Sequence, residues 1–157
     1  MNVALAVSHI IEYSILFIFF DMVFRSKRKT GQIYFLGLAM YSAVFLLYWM
    51  LDSTIVNIIA GTVCNFTFGM LFYECRIKDA IFSSLFLTVS MTASEFIVMA
   101  ISYIVNGDIN SFKSSFRLLC LMILFSRTIY LIIVFSVGHL LQNNKTKKIP
   151  LFLFLFP

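Results

Sequence analysis

Charge is scarce in this chain. Only 12% of its 157 residues are Asp, Glu, Lys or Arg, against about 25% in an average soluble domain. With 61% hydrophobic residues and a mean hydropathy of +0.97, one small core cannot hide so much apolar surface. The solvent that suits this composition is lipid. Two prolines and six glycines are too few for a linker-rich modular protein, and no polar stretch is long enough for a second, soluble domain. Residues 1–157 therefore read as a single transmembrane domain. Cysteine is sparse as well. Cys64, Cys75 and Cys120 are scattered, with no C-x-x-C pair or Cys/His cluster of ligand spacing, and read as packing residues. No metal and no cofactor is expected.

Catalytic patterns are missing too. The chain has no G-x-x-x-x-G-K-[ST], G-x-G-x-x-G, H-E-x-x-H or G-x-S-x-G motif, so no catalytic residue and no enzymatic activity is expected. No Lys or Arg precedes Arg25, and His9 and Glu12 interrupt the first apolar run. That run lacks the basic start of a secretory signal and reads as a retained span.

What is present is a series of apolar segments punctuated by charge. A spanning helix needs about 20 mostly apolar residues at about 1.5 Å each. The sequence predicts an all-α, polytopic transmembrane bundle with spans at about 3–24, 32–51, 54–73, 80–105 and 118–141. Tyr48 and Trp49 near the end of the second have the look of an interfacial aromatic belt. The segment 149–157 is apolar but too short to cross, and is expected to be the opening of a sixth span in a truncated chain.

Orientation follows from the basic residues, which are retained on the cytoplasmic side of a membrane. The loops after spans one, three and five hold Arg25, Lys27, Arg28, Lys29, Arg76, Lys78, Lys145, Lys147 and Lys148, whereas the opposite side has Lys113 and Arg117. The expectation is a multi-pass protein of the cell membrane, with its N-terminus outside and loops 25–31, 74–79 and 142–148 in the cytoplasm. Short basic loops explain the pI near 9.2 through topology, so no nucleic-acid partner is expected.

Ionisable groups at bilayer depth are costly and are kept for a reason. Glu12, Glu95 and Arg127 each fall about 14 Å below the outer face at 1.5 Å per residue, in one layer. Arg127 is expected to pair with Glu95, Glu12 or both, and His9, one turn from Glu12, can join them. Such a cluster can be a structural tie between spans one, four and five, part of a ligand pocket or switch, or a step in an ion pathway. In span three, Asn57, Gly61, Asn65 and Gly69 recur every four residues, a stripe that suits close helix packing or homodimerisation. Span four has a similar set in Ser83, Ser84, Ser90, Ala93 and Ser94. The 19 phenylalanines read as lipid-facing or packing residues, and His139 as an interfacial histidine.

Three stretches carry a resemblance: HIIEYSILFIFF at 9–20, RSKRK at 25–29 and LFYECRIKDAIFSSLFLTVSMTASEFIVMAI at 71–101. Together they resemble the N-terminal membrane sensor half of Agr-type, peptide-sensing histidine kinases of Firmicutes, whose cytoplasmic part is a GHKL ATPase. The resemblance covers about residues 1–150 and consists of the early Glu12, the short charged loop before span four, and the Ser94-Glu95 pair. It implies a sensor of a two-component, quorum-sensing system that binds an extracellular peptide at its outer mouth and signals to an output domain beyond this chain. Seven spans in all would place that kinase in the cytoplasm. A different reading is a small transport component, such as the substrate-binding membrane subunit of a vitamin importer, also a six-span bundle of this size. A nonfunctional remnant is a third.

Overall fold

The computed structural model describes residues 2–51, 53–106 and 116–144. Within them the chain is helical: α1 (Asn2–Val23), α2 (Thr30–Leu51), α3 (Thr54–Phe72), α4 (Ile77–Asn106) and α5 (Phe116–Asn144). Each helix stops where charge or a turn replaces apolar sequence. α1 ends at Val23, just before the basic run that opens at Arg25, and Phe24 N–H still donates to Phe20 O at 2.8 Å. α4 and α5, 30 and 29 residues long, extend a few residues beyond the expected 80–105 and 118–141. The polar ends Ile77–Asp79 and Gln142–Asn144 are wound into helix because winding satisfies their backbone groups at no extra loop cost. The partial sixth span at 149–157, loop residues 145–148 and the turn at 107–115 lie outside the described residues.

Four of the five helices are long and apolar enough to cross a membrane: α1, α3, α4 and α5. α2 adds a shorter apolar stretch, Thr30–Leu46. These helices have no water-facing side. Large apolar side chains stand exposed on all of them, among them Phe35, Ile55, Val89, Phe96, Ile104 and Phe125. In water such faces would drive aggregation, whereas in hydrocarbon they cost nothing. The protein is a membrane-embedded helical bundle.

The helices pack in a closed circuit: α1 lies against α2 and α5, α5 against α4, α4 against α3, and α3 against α2. Aromatic rings fill the middle. Tyr13, Phe19, Phe20, Phe68 and Tyr73 are almost completely buried, and Phe20 meets Phe68 with ring centroids 5.6 Å apart and Tyr73 at 5.5 Å. Such tilted and edge-on ring pairs favour a fixed geometry beyond simple burial. The hydroxyl of Tyr13 crosses to α2 and donates to Tyr34 O at 2.8 Å.

One element was not legible beforehand. The basic loop after α1 and the loop after α3 pair as a two-residue antiparallel ladder, β1 (Arg25–Ser26) with β2 (Tyr73–Glu74), in the register Arg25 to Glu74 and Ser26 to Tyr73. It supplies partners for backbone groups that two helix ends would leave open. Lys27 completes the arrangement: its N–H donates to Phe72 O at 2.8 Å and its Nζ to Met70 O at 2.6 Å. A cation on the last carbonyls of α3 also opposes the negative end of that helix. Lys27→Met is therefore expected to lower stability by about 0.5–1 kcal/mol, measured as a lower unfolding midpoint in detergent. Nearby, the Cys75 thiol donates to Gly69 O at 3.4 Å. Burial pushes this thiol above its ordinary pKa, with Lys27 acting in the opposite direction and Asp79 adding to the rise. It thus stays protonated, and a donor, at neutral pH.

Candidate functional site

The sequence of α1 sets Ser8, His9 and Glu12 within one turn of each other, so all three reach the same side of the helix. α5 brings Arg127 to that side. Its Nε donates to Ser8 Oγ at 2.9 Å, its Nη2 forms an ion pair with Glu12 Oε1, and its Nη1 donates to Glu95 Oε1 of α4 at 2.9 Å. Ser8 in turn donates to Glu12 Oε1 at 3.1 Å. One guanidinium thus uses its planar fork to tie three helices together. Arg127 takes both carboxylates rather than choosing between them.

His9 sits at the edge of this cluster. Its Nε2 lies 2.9 Å from Tyr41 O of α2, and only a protonated nitrogen can bond a carbonyl, so Nε2 carries hydrogen. The other nitrogen, Nδ1, faces Glu12 Oε2 at 3.6 Å. The ring stacks on Tyr41 with centroids 4.5 Å apart and tilts against Phe45 at 4.8 Å. Through His9 the network reaches a fourth helix. Beside it, the hydroxyls of Ser94 (α4) and Ser126 (α5) lie 3.3 Å apart, each next in sequence to a charged member of the cluster.

Two features decide what the arrangement can do. The first is its stoichiometry: two carboxyl groups share one guanidinium, Glu12 through Nη2 and Glu95 through Nη1. The second is uneven burial. The side chains of Arg127 and Glu12 are 9% and 11% exposed, that of Glu95 41%. Glu12 is clamped by Arg127 and Ser8 in the interior. Glu95 has one contact with Arg127 and an open flank, so it is the arm from which a competing cation can take over.

Ser8, Ser126 and the Tyr41 carbonyl were not singled out from sequence. Ser8 could have been, since it stands four residues before an intramembrane glutamate. Tyr41 contributes a backbone atom, for which no side-chain pattern exists.

The residues of the α3 stripe have different surroundings within the chain. Gly69 abuts the Phe20 ring of α1, and a Cβ there would come within 2.6 Å of it. Asn65 is buried, with no partner for its Oδ1 among the described residues. Gly61 has nothing within 4 Å of its Cβ position. Each step of four residues turns a helix about 40° past a full circle, so twelve residues carry the stripe about 120° round. Its C-terminal end, at Gly69, meets α1, and Gly61 has open space at its Cβ position. Ser83, Ser84, Ser90 and Ser94 of α4 are all buried, and contact between α3 and α4 includes a Thr62–Thr88 hydroxyl pair at 3.0 Å.

Among the described residues no three His, Cys, Asp or Glu side chains stand close enough to hold a metal ion. Fold and site together define a polytopic helical membrane protein with a buried three-helix charge cluster. No protein-family model, curated protein or solved structure matches the chain.

Proposed function

We propose that this chain is the membrane-embedded sensing module of a receptor of the quorum-sensing histidine kinase type. A peptide or other amphipathic signal arrives from the outer side, alters the packing of α1, α4 and α5, and the change passes to a cytoplasmic output domain that is not part of this sequence. In this reading α2 also crosses the bilayer, making five spans before a sixth. The N-terminus lies outside, and the basic loops at 25–31, 74–79 and 142–148 lie in the cytoplasm.

The observation that carries the proposal is the unequal hold on the two carboxylates. A signal can move an equilibrium only by binding one packing better than the other. Glu95, half open and held by a single contact with Arg127, offers an ammonium or guanidinium on the signal a place that Arg127 now fills. Capture of Glu95 by such a group would loosen α4 from α5 while Glu12 kept Arg127 on α1. The test uses spin labels at two exposed positions, Val89 on α4 and Ile132 on α5, in the lipid-reconstituted protein. Addition of a cationic secreted-peptide fraction is expected to shift the distance distribution in the wild type and leave it unshifted in Glu95→Gln. An unchanged distribution in the wild type, together with tight binding of a small neutral vitamin, would replace the sensor reading with that of a transport subunit.

A further inference from the structure

Six cations gather at the end of the bundle opposite the charge cluster. Arg25, Lys27, Arg28 and Lys29 follow α1, and the β1–β2 ladder brings the segment holding Arg76 and Lys78 alongside them. All six are exposed, and among the described residues none forms an ion pair with a carboxylate. Lys27 is committed to the end of α3. Among the described residues the other five have no side-chain hydrogen bond of that kind.

A shallow, open groove of about 640 Å³ runs over the start of α2, lined by Arg28, Lys29, Gly31, Gln32, Phe35 and Leu36. Its two ends differ in chemistry. At one end stand two cations and the first turn of α2, whose bonds begin with Gln32 N–H and Ile33 N–H donating to Lys29 O. The amides of Thr30 and Gly31 precede the first of those bonds and point out of the helix end, a geometry that favours an anion. Gly31 has no atom within 4 Å of its Cβ position, so the approach to this backbone is open. At the other end are Phe35, 74% exposed, and Leu36, 48% exposed. They lie four and five residues further along, about 6–7 Å deeper into the membrane at 1.5 Å per residue.

We propose that this groove is a binding site for an anionic phospholipid, with the phosphodiester headgroup between Arg28, Lys29 and the α2 N-terminus and an acyl chain along Phe35 and Leu36. Charge complementarity selects the headgroup. The polar-to-apolar step along a single helix face matches the step from headgroup to chain, which a free phosphate or a soluble acidic peptide would not use. Arg25, Arg76 and Lys78 lie outside the lining and do not touch the bound molecule. The proposal is independent of the sensor reading and holds whichever leaflet this end faces.

The test is native mass spectrometry of the full chain released from detergent, after equilibration with phosphatidylglycerol, with phosphatidylcholine of the same chains, or with inorganic phosphate. The wild type is expected to retain one phosphatidylglycerol in preference to phosphatidylcholine. Losing two headgroup contacts, the R28Q/K29Q variant is expected to retain it about tenfold less. Gly31→Val keeps every charge but fills the open approach, and is expected to lose retention as well. The R76Q/K78Q variant removes the same charge from the same rim outside the groove and is expected to stay within about twofold of wild type. Its retention also shows that the fold tolerates loss of two rim charges. Equal retention of the two lipids by the wild type would overturn the site, as would an equal loss in R76Q/K78Q, which reduces binding to diffuse attraction. Displacement of the lipid by millimolar inorganic phosphate would make this a free-anion site instead.

Discussion

Arg127→Met is expected to cost about 3–5 kcal/mol of stability, as breaking a buried ion pair by removing one partner generally does. The loss is that large because Glu12 remains. Its side chain is 11% exposed, and without Arg127 its neighbours are a serine hydroxyl and a histidine whose Nδ1 is 3.6 Å away. Neutralising the carboxylates should recover most of the loss: E12Q/E95Q/R127M is expected to lie much closer to the wild type than R127M does. Glu95→Gln alone should cost less than Arg127→Met, since glutamine keeps a carbonyl acceptor toward Arg127 and Arg127 keeps Glu12 as a counter-charge. Reversible unfolding in mixed micelles, with the variants combined in double-mutant cycles, measures all of these. An R127M protein as stable as the wild type would show that the three-helix tie contributes nothing to packing.

The second large effect is expected at Gly37. A Cβ there would meet the Phe68 ring and lie 2.5 Å from the Tyr13 hydroxyl. Both side chains are completely buried, so neither can turn away without disturbing its neighbours. Overpacking of this kind costs about 1–3 kcal/mol. Gly37→Ala also pushes the Tyr13 hydroxyl away from Tyr34 O at 2.8 Å, leaving it the longer 3.3 Å contact with Ile33 O. Gly61→Ala is the internal control. With open space at its Cβ position, it is expected to be neutral or slightly stabilising, because alanine restricts the unfolded chain and favours helix. Thermal unfolding of the two variants side by side decides the matter, and equal midpoints would disprove the aromatic cage around Gly37.

The two effects also separate what was readable in advance from what was not. That Arg127 needs a carboxylate follows from the cost of a lone cation in hydrocarbon, and Glu12 and Glu95 were the candidates at its depth. The use of both, the bridge through Ser8 and the link of His9 to the Tyr41 carbonyl depend on how each helix is rotated. Gly37 carried no signal at all. It is one small residue in an uncharged apolar helix, and only the arrival of Phe68 from α3 and Tyr13 from α1 makes its missing side chain necessary.

Taken alone, the sequence determined the solvent, the helical class, the approximate limits of the apolar helices among the described residues, and which few charges fall within them. These follow from length and composition, since a helix of given hydrophobicity either fits hydrocarbon or does not. Tertiary structure alone decided which faces meet. A helix apolar on every side has no polar stripe to mark its outward face, so rotation about its own axis is left to ring packing, to the short ladder between Arg25–Ser26 and Tyr73–Glu74, and to the fork of a single arginine.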